Sequence, residues 1–326
     1  MIARSETRFC PLSTRLFPKF KGAEAYALTG IAARCDWVVL SDRDEPRVAD
    51  RLRTDIANVR TVFVSLRSHE VALEHFLDHV LPRLTAPFVL VSGSEDVTLP
   101  NQTDKRWPAM PEALRDRMLE ALDHPLLLQW FCENLDEAAH PKLRPLPLGM
   151  VFPEAMADPV LTVPEWGGAG QRHRRILCAH RVRDGAQWDI RKQVTALAKT
   201  HWRSFVTVLE DPVGEDEFEA LIRAHAFVLC VEGGGLDPSP KAWQTLLNGA
   251  VPIIRKTPLA AAYADFPLVQ VDAWQADALS AGKLDEWFEV HFRSGRVNAR
   301  RQEIINRLGL DYWWAQIEAG LPDTDQ

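Results

Sequence analysis

The stretch FVLCVEGGGLDPSPKAWQTLLNGAVPII, residues 227–254, decides the fold. Five apolar residues (227–231) run into Glu232 and three glycines, Gly233, Gly234 and Gly235. A Pro- and Ser-bearing turn leads to KAWQTLLN with apolar residues at helical spacing, and the chain stops at Gly249 before a second apolar run, VPII. Strand, glycine loop, helix, glycine stop, strand is the order of one limb of a doubly wound α/β unit. Ligands of such sheets sit beyond the carboxyl ends of the strands, where a helix N-terminus offers unpaired N–H groups to an anion. Glycines let the backbone approach a ligand closely, and Ser239 and Lys241 stand at the mouth of the helix. Lysine serves a phosphate there as a point charge.

Working outward, the same alternation continues on both sides. Upstream in the second half the pattern predicts strands at 176–179 and 205–208 with helices at 191–199 and 215–224. Downstream it predicts a helix at 241–248, strands at 251–254 and 268–271, and two helices in the tail 298–318. The first half predicts strands at 37–40, 61–65, 88–92 and 126–130, with helices at 70–84 and 111–122. Continuous apolar strand runs of this kind belong to parallel sheets buried on both faces. Residues 153–175 are rich first in Pro and Gly and then in charge, which reads as a linker. The expected architecture is therefore α/β with two Rossmann-like domains: 1–160, and 161–326 with C-terminal helices.

Composition agrees with an ordinary globular chain. The 326 residues exceed the size of one hydrophobic core, and 46% are hydrophobic and 25% charged. A net charge of −7 argues against general affinity for nucleic acid. No run approaches the length of a membrane span. Five widely spaced cysteines in mostly apolar surroundings suggest reduced thiols and a cytoplasmic setting.

The order acidic residue, glycine loop, Asp, basic residue, apolar helix, Gly249-Ala-Val-Pro-Ile-Ile254 resembles the donor-side segment of exostosin-type glycosyltransferases and, more loosely, of α1,3-fucosyltransferases. The phrase running from Tyr263 to Trp274 resembles bacterial and viral exostosin-like proteins. A second segment, LLLQWFCENLDEAAHPKLRPLPLGM at 126–150, resembles the same group through a strand ending in Asn and a His-Pro-Lys phrase. The resemblance implies the GT-B arrangement, two Rossmann-like domains facing each other across a cleft with the nucleotide sugar held on the C-terminal one. It implies that Lys241 faces the donor phosphates and places Gln244 where the family usually has Glu. It also marks Asn134 and His140 as acceptor-side candidates.

The implied activity is transfer of a sugar from a nucleotide-sugar donor to a hydroxyl of a glycan or small molecule. The nucleotide sugar is then a co-substrate, no cofactor is bound, and an inverting course needs a base for the hydroxyl proton. Asp96, with Glu95 beside it, follows the strand at 88–92 and is the first candidate for that base. Arg183 and Arg191 follow the first strand of the second half and are candidates for the donor phosphates, and Glu232 for donor hydroxyls. No Asp-x-Asp loop, His-Glu-x-x-His or paired Cys-x-x-Cys occurs, which points to a metal-independent reaction. Two alternatives stand beside this reading: a catalytically inactive sugar-nucleotide or glycan-binding protein, and a transferase using another anionic donor, pyruvyl or sulfuryl.

Overall fold

The computed structural model describes residues 8–45, 47–152 and 159–322. The chain forms two compact units, each with its own sheet. The N-terminal unit runs from Cys10 to Pro159, and also takes Gly235–Asp237 and the segment from Leu310 onward; the C-terminal unit takes β1 (Arg8–Phe9), 160–234 and 238–309.

In the N-terminal unit the strands are β2 (Trp37–Ser41), β3 (Val48–Leu52), β4 (Thr61–Ser65), β5 (Phe88–Gly93), β6 (Leu127–Cys132) and β7 (Leu143–Pro145). They lie in the order β3-β2-β4-β5-β6-β7, all parallel except β3. The runs WVVLS, TVFVS and FVLVSG are buried along their whole length, as strands covered on both faces must be. Sequence pattern missed β3 and β7. β3, VADRL, buries Ala49 alone and leaves its other residues partly or fully exposed at an antiparallel edge, and β7 carries Pro145, which an edge tolerates. Helix α1 (His69–His75) continues through a π-turn at Phe76–Val80 and a 3-10 turn at Leu81–Arg83, so the expected helix at 70–84 is not uniform. It packs with α2 (Glu112–Leu122) on the sheet through Leu73, Phe76, Leu114 and Met118.

In the C-terminal unit β1 pairs antiparallel with β8 (Leu161–Thr162). The expected linker at 153–175 is therefore structured from residue 159 on; 153–158 lie outside the described residues. Trp166 within it donates to Leu247 O at 2.8 Å, and its ring fills the space a Cβ would need at Gly249, where φ is +69°. β9 (His173–Cys178), α3 (Asp189–Lys199), β10 (Val206–Val208), α4 (Glu215–Ala224), β11 (His225–Leu229), α5 (Pro240–Leu247), β12 (Val251–Arg255) and β13 (Val269–Val271) follow. The five strands are parallel in the order β10-β9-β11-β12-β13. A β9-to-β10 step one way and a β11-to-β12 step the other put a topological switch point between β9 and β11. α6 (Ala281–Phe288), α7 (Arg296–Ala299) and α8 (Arg301–Leu308) complete this unit. The last helix, α9 (Leu310–Glu318), belongs to the N-terminal unit, which corrects the expectation that all the C-terminal helices go with the second domain. All five cysteines are free thiols, four of them buried, and no helix of the described residues is long and apolar enough to cross a membrane.

Candidate functional site

At the switch point of the C-terminal unit, α5 begins with Ser239 as N-cap and Pro240 in its first turn, and the Ser239 hydroxyl accepts from the Lys241 backbone N–H. Ser239 is held at φ +74°, a conformation costly for a serine and concentrated at functional positions. Lys241 is half-buried, and among the described residues its ammonium has no hydrogen-bond or carboxylate partner. Burial first and then the Arg191 guanidinium lower its pKa to about 8. The protein thus keeps a cation where cation is disfavoured. Gln244 lies one turn along α5 from Lys241, on the same face, with its side-chain amide unengaged among the described residues.

Arg191 is the third residue of α3 and is buried; its Nε donates to Glu232 O at 3.1 Å and its Nη2 to Val231 O at 3.1 Å. Its guanidinium lies 4.9 Å from the Trp188 ring centroid, and that of Arg183 lies 5.6 Å from the same ring. A Cβ on Gly233 would meet Arg191 Nη2 at 3.1 Å, so this glycine admits the guanidinium to the loop. His180, just past β9, fixes the start of α3. Its Nε2 reaches Arg191 O at 3.1 Å and Thr195 Oγ1 at 2.9 Å. A carbonyl only accepts, so Nε2 carries the proton. Burial and the Lys241 charge push this imidazole down to about 3, leaving it neutral. Sequence reasoning missed His180; its signal was its place right after an apolar strand.

Two expectations for the glycine loop change. Glu232 is buried, with Arg255 Nε donating to Oε1 and Trp274 Nε1 to Oε2 at 3.0 Å. Both carboxylate oxygens are engaged, so in this state Glu232 orders the loop and is not open to donor hydroxyls. Gly235 counts with the N-terminal unit. A Cβ there would stand 2.6 Å from Asn134 Cγ, so what approaches this glycine closely is Asn134 and not a ligand. Gly234, the buried residue before it, ends the C-terminal unit's share of the loop.

In the N-terminal unit four parallel strands end in ionisable residues: Asp42 and Arg43 after β2, Arg67 after β4, Glu95 and Asp96 after β5, and Glu133 after β6. Arg15 and Arg106 reach into the same cluster. Glu95 meets Arg43 at 2.6 Å, Arg67 at 3.2 Å and Arg106 at 3.6 Å. Burial would raise its pKa, but these guanidiniums and Arg15 hold it down to about 2. That is the wrong direction for a base, which corrects the pairing of Glu95 with Asp96. Asp96 pairs with Arg15 at 3.1 Å and with Arg106, and its side chain is 22% exposed where those of Glu95 and Glu133 are 2% and 1%. Glu133, unremarked in the sequence, accepts from Thr14 Oγ1 at 2.6 Å and Ser94 N at 2.5 Å, and burial, opposed by Arg15, pushes it up to about 7.

The acceptor-side candidates do not converge. Asn134 is 2% exposed and satisfied: its Nδ2 donates to Glu95 O at 3.1 Å, and its Oδ1 accepts from Leu236 N at 2.8 Å and Asp237 N at 2.9 Å. It is a staple within the N-terminal unit. His140 lies in a surface turn, 3.6 Å from exposed Asp123, with its Nδ1 accepting from Lys142 N. Among the described residues no group of three or more His, Cys, Asp or Glu side chains is arranged to hold a metal ion.

No protein family matches the chain, and no curated protein does. Among solved structures, the spinosyn rhamnosyltransferase SpnG complexed with thymidine diphosphate matches at TM-score 0.37 and 11% identity, over 80% of this chain and 73% of its own. A glycosyltransferase from Rickettsia africae ESF-5 matches at TM-score 0.42 and 8% identity, over 82% and 78%. The glycosyltransferase SnogD from Streptomyces nogalater matches at TM-score 0.33 and 13% identity, over 80% and 72%. At these scores and identities the likenesses assign no function to this chain.

Proposed function

We propose that the protein is a glycosyltransferase whose C-terminal unit holds the diphosphate of a nucleotide-sugar donor at Lys241, with Arg191 behind it. One observation carries this: a lysine ammonium with no hydrogen-bond or carboxylate partner among the described residues, at the start of a helix at the switch point of a five-stranded parallel sheet, its pKa depressed by burial and by a neighbouring guanidinium. Helix N-terminus and cation together suit a diphosphate, and the sequence likeness to exostosin-type enzymes supports a sugar nucleotide. Gln244, one turn from Lys241, takes a donor hydroxyl in this reading.

In the proposed inverting reaction, the acceptor hydroxyl oxygen attacks the anomeric carbon as the bond from that carbon to the diphosphate oxygen breaks. The leaving electron pair stays on the diphosphate, met by Lys241, and the hydroxyl proton passes to a carboxylate. Asp96, the most exposed carboxylate of the strand-end cluster, takes that role in this reading. No resident metal is assigned a step.

Calorimetric titration with uridine, thymidine and guanosine diphosphates tests the donor site. Binding of one of them that falls at least about tenfold in Lys241→Met supports it. Absence of binding by all, or equal binding by Lys241→Met, overturns it. Binding of a sugar nucleotide with no turnover on any hydroxyl acceptor would leave the binding-protein alternative.

A further inference from the structure

The segment from Arg15 to Gly22 is strapped across the strand ends of the N-terminal unit. Leu16 N donates to Ser94 Oγ after β5 at 3.0 Å, Arg67 after β4 donates to Leu16 O at 3.4 Å, and the backbone N–H groups of Lys21 and Gly22 donate to Asp42 after β2 at 2.9 and 3.1 Å. This strap carries Lys19 over the place where open α/β sheets bind ligands. Every arginine of the cluster has a carboxylate: Arg15 has Asp96 and Glu133, Arg43 and Arg67 have Glu95, and Arg106 has Asp96. Among the described residues Lys19 forms no ion pair: its Nζ lies 5.9 Å from the Phe17 ring centroid, and Glu95 and Asp96 act on it only at longer range. Burial first, then Arg67 and Arg15, lower its pKa to about 8.

Charge in the cluster leans positive. Asp42 accepts from three backbone N–H groups, including its neighbour Arg43, and Glu133 near 7 is only partly ionised at neutral pH. Donor capacity is also unspent: Arg43 Nε, Arg67 Nε and Trp107 Nε1 are buried without an acceptor among the described residues. These are neighbours, since Arg43 stacks 3.8 Å from the Trp107 ring and Arg67 shares the Glu95 carboxylate with Arg43. A cation set among guanidiniums, over unsatisfied N–H groups, is an arrangement that an oxyanion would relieve.

We propose that the N-terminal unit binds a compact oxyanion, a carboxylate or phosphate group, at Lys19 over the arginines of the strand-end cluster, and that the acceptor of the proposed reaction is therefore an acidic molecule. The acceptor part rests on the glycosyltransferase reading above; the anion site does not.

The test uses the full chain and three probes: inorganic phosphate, D-glucuronate and uncharged D-glucose, titrated into a Lys241→Met background that weakens the donor site. Phosphate or glucuronate should bind, glucose should not, and adding Lys19→Met should weaken the anion by at least about tenfold, while Lys19→Arg restores it. The tighter of the two anions identifies the acid group. Far-ultraviolet circular dichroism and melting of Lys19→Met, a half-exposed position, confirm that it folds. Equal anion binding with and without Lys19, or no anion binding in the Lys241→Met background, overturns the site. In the single Lys19→Met variant nucleoside diphosphate affinity should stay within about twofold of the parent. If no nucleoside diphosphate binds the parent while anion binding still depends on Lys19, the donor reading fails and the anion site stands.

Discussion

A Cβ on Gly235 would lie 2.6 Å from Asn134 Cγ and 2.7 Å from the Asp96 backbone oxygen. The third glycine of the run is therefore required by packing, because Asn134 must come close enough to accept from both Leu236 N and Asp237 N. Gly235→Ala should destabilise the protein by roughly 1–3 kcal/mol, the usual cost of forcing an extra carbon into a packed site. Asn134→Ala, which leaves two backbone donors unpaired, should cost a similar amount. Urea denaturation midpoints check both, and a Gly235→Ala variant as stable as the parent would show that the loop relaxes freely.

Residues 227–254 were legible because a parallel strand, its loop and its helix are local in sequence, so the pattern alone locates Lys241 and Ser239. The N-terminal cluster was only partly legible. Each of Asp42, Arg67, Glu95 and Glu133 follows an apolar run, which is a readable signal. What joins them is strand register, such as Ser65 opposite Gly93 and Ser92 opposite Cys132, and one sequence does not encode register in any short pattern. Arg15 reaches Asp96 across 81 positions, which no spacing argument anticipates. Glu232 misled for a related reason: its partners are Arg255, at the end of β12, and Trp274, after β13.

Lys241→Met should weaken nucleoside diphosphate binding by roughly 1.5–3 kcal/mol, the range for loss of a charge-assisted contact, with little change in melting temperature. The pH dependence has a definite sign. With its pKa lowered to about 8, Lys241 is charged below that value and loses its proton above it. A diphosphate prefers the charged form, so affinity should hold below pH 8 and fall as pH rises beyond it, and Lys241→Met should abolish that fall. An affinity flat from pH 7 to 10 would remove Lys241 from the phosphate site.

Glu133 offers a stability test independent of any ligand. Its folded pKa of about 7 lies above the ordinary 4.5 of a carboxyl group, so the folded state holds the proton more tightly than the unfolded state. Stability from this group is therefore fully present at low pH and is lost as pH rises from about 4.5 through 7. Glu133→Gln cannot titrate. Relative to this variant, the parent should lose on the order of 2–3 kcal/mol between pH 5 and pH 8, measured by denaturant unfolding at each pH. A constant difference across that range would show that Glu133 is not held in its protonated form.

Asp96→Asn separates catalysis from binding. Asp96 is the carboxylate of its cluster with most exposure, and it is held in place by Arg15 and Arg106. Asparagine keeps the size and leaves an oxygen for one guanidinium but cannot take a proton at neutral pH, so turnover should fall by roughly a hundredfold or more. Nucleoside diphosphate affinity should be unchanged, because the base acts on the acceptor proton. Loss of an anionic partner for two arginines also threatens stability, so melting temperature and anion titration at Lys19 must accompany the rate. Glu133→Gln is the companion variant: it removes a sealed carboxyl that touches Arg15 but has almost no exposure, and should change the rate far less. If Glu133→Gln loses turnover and a folded Asp96→Asn keeps it, the proton goes to Glu133 through a rearranged strap; if both keep it, the reaction needs no carboxylate from this cluster.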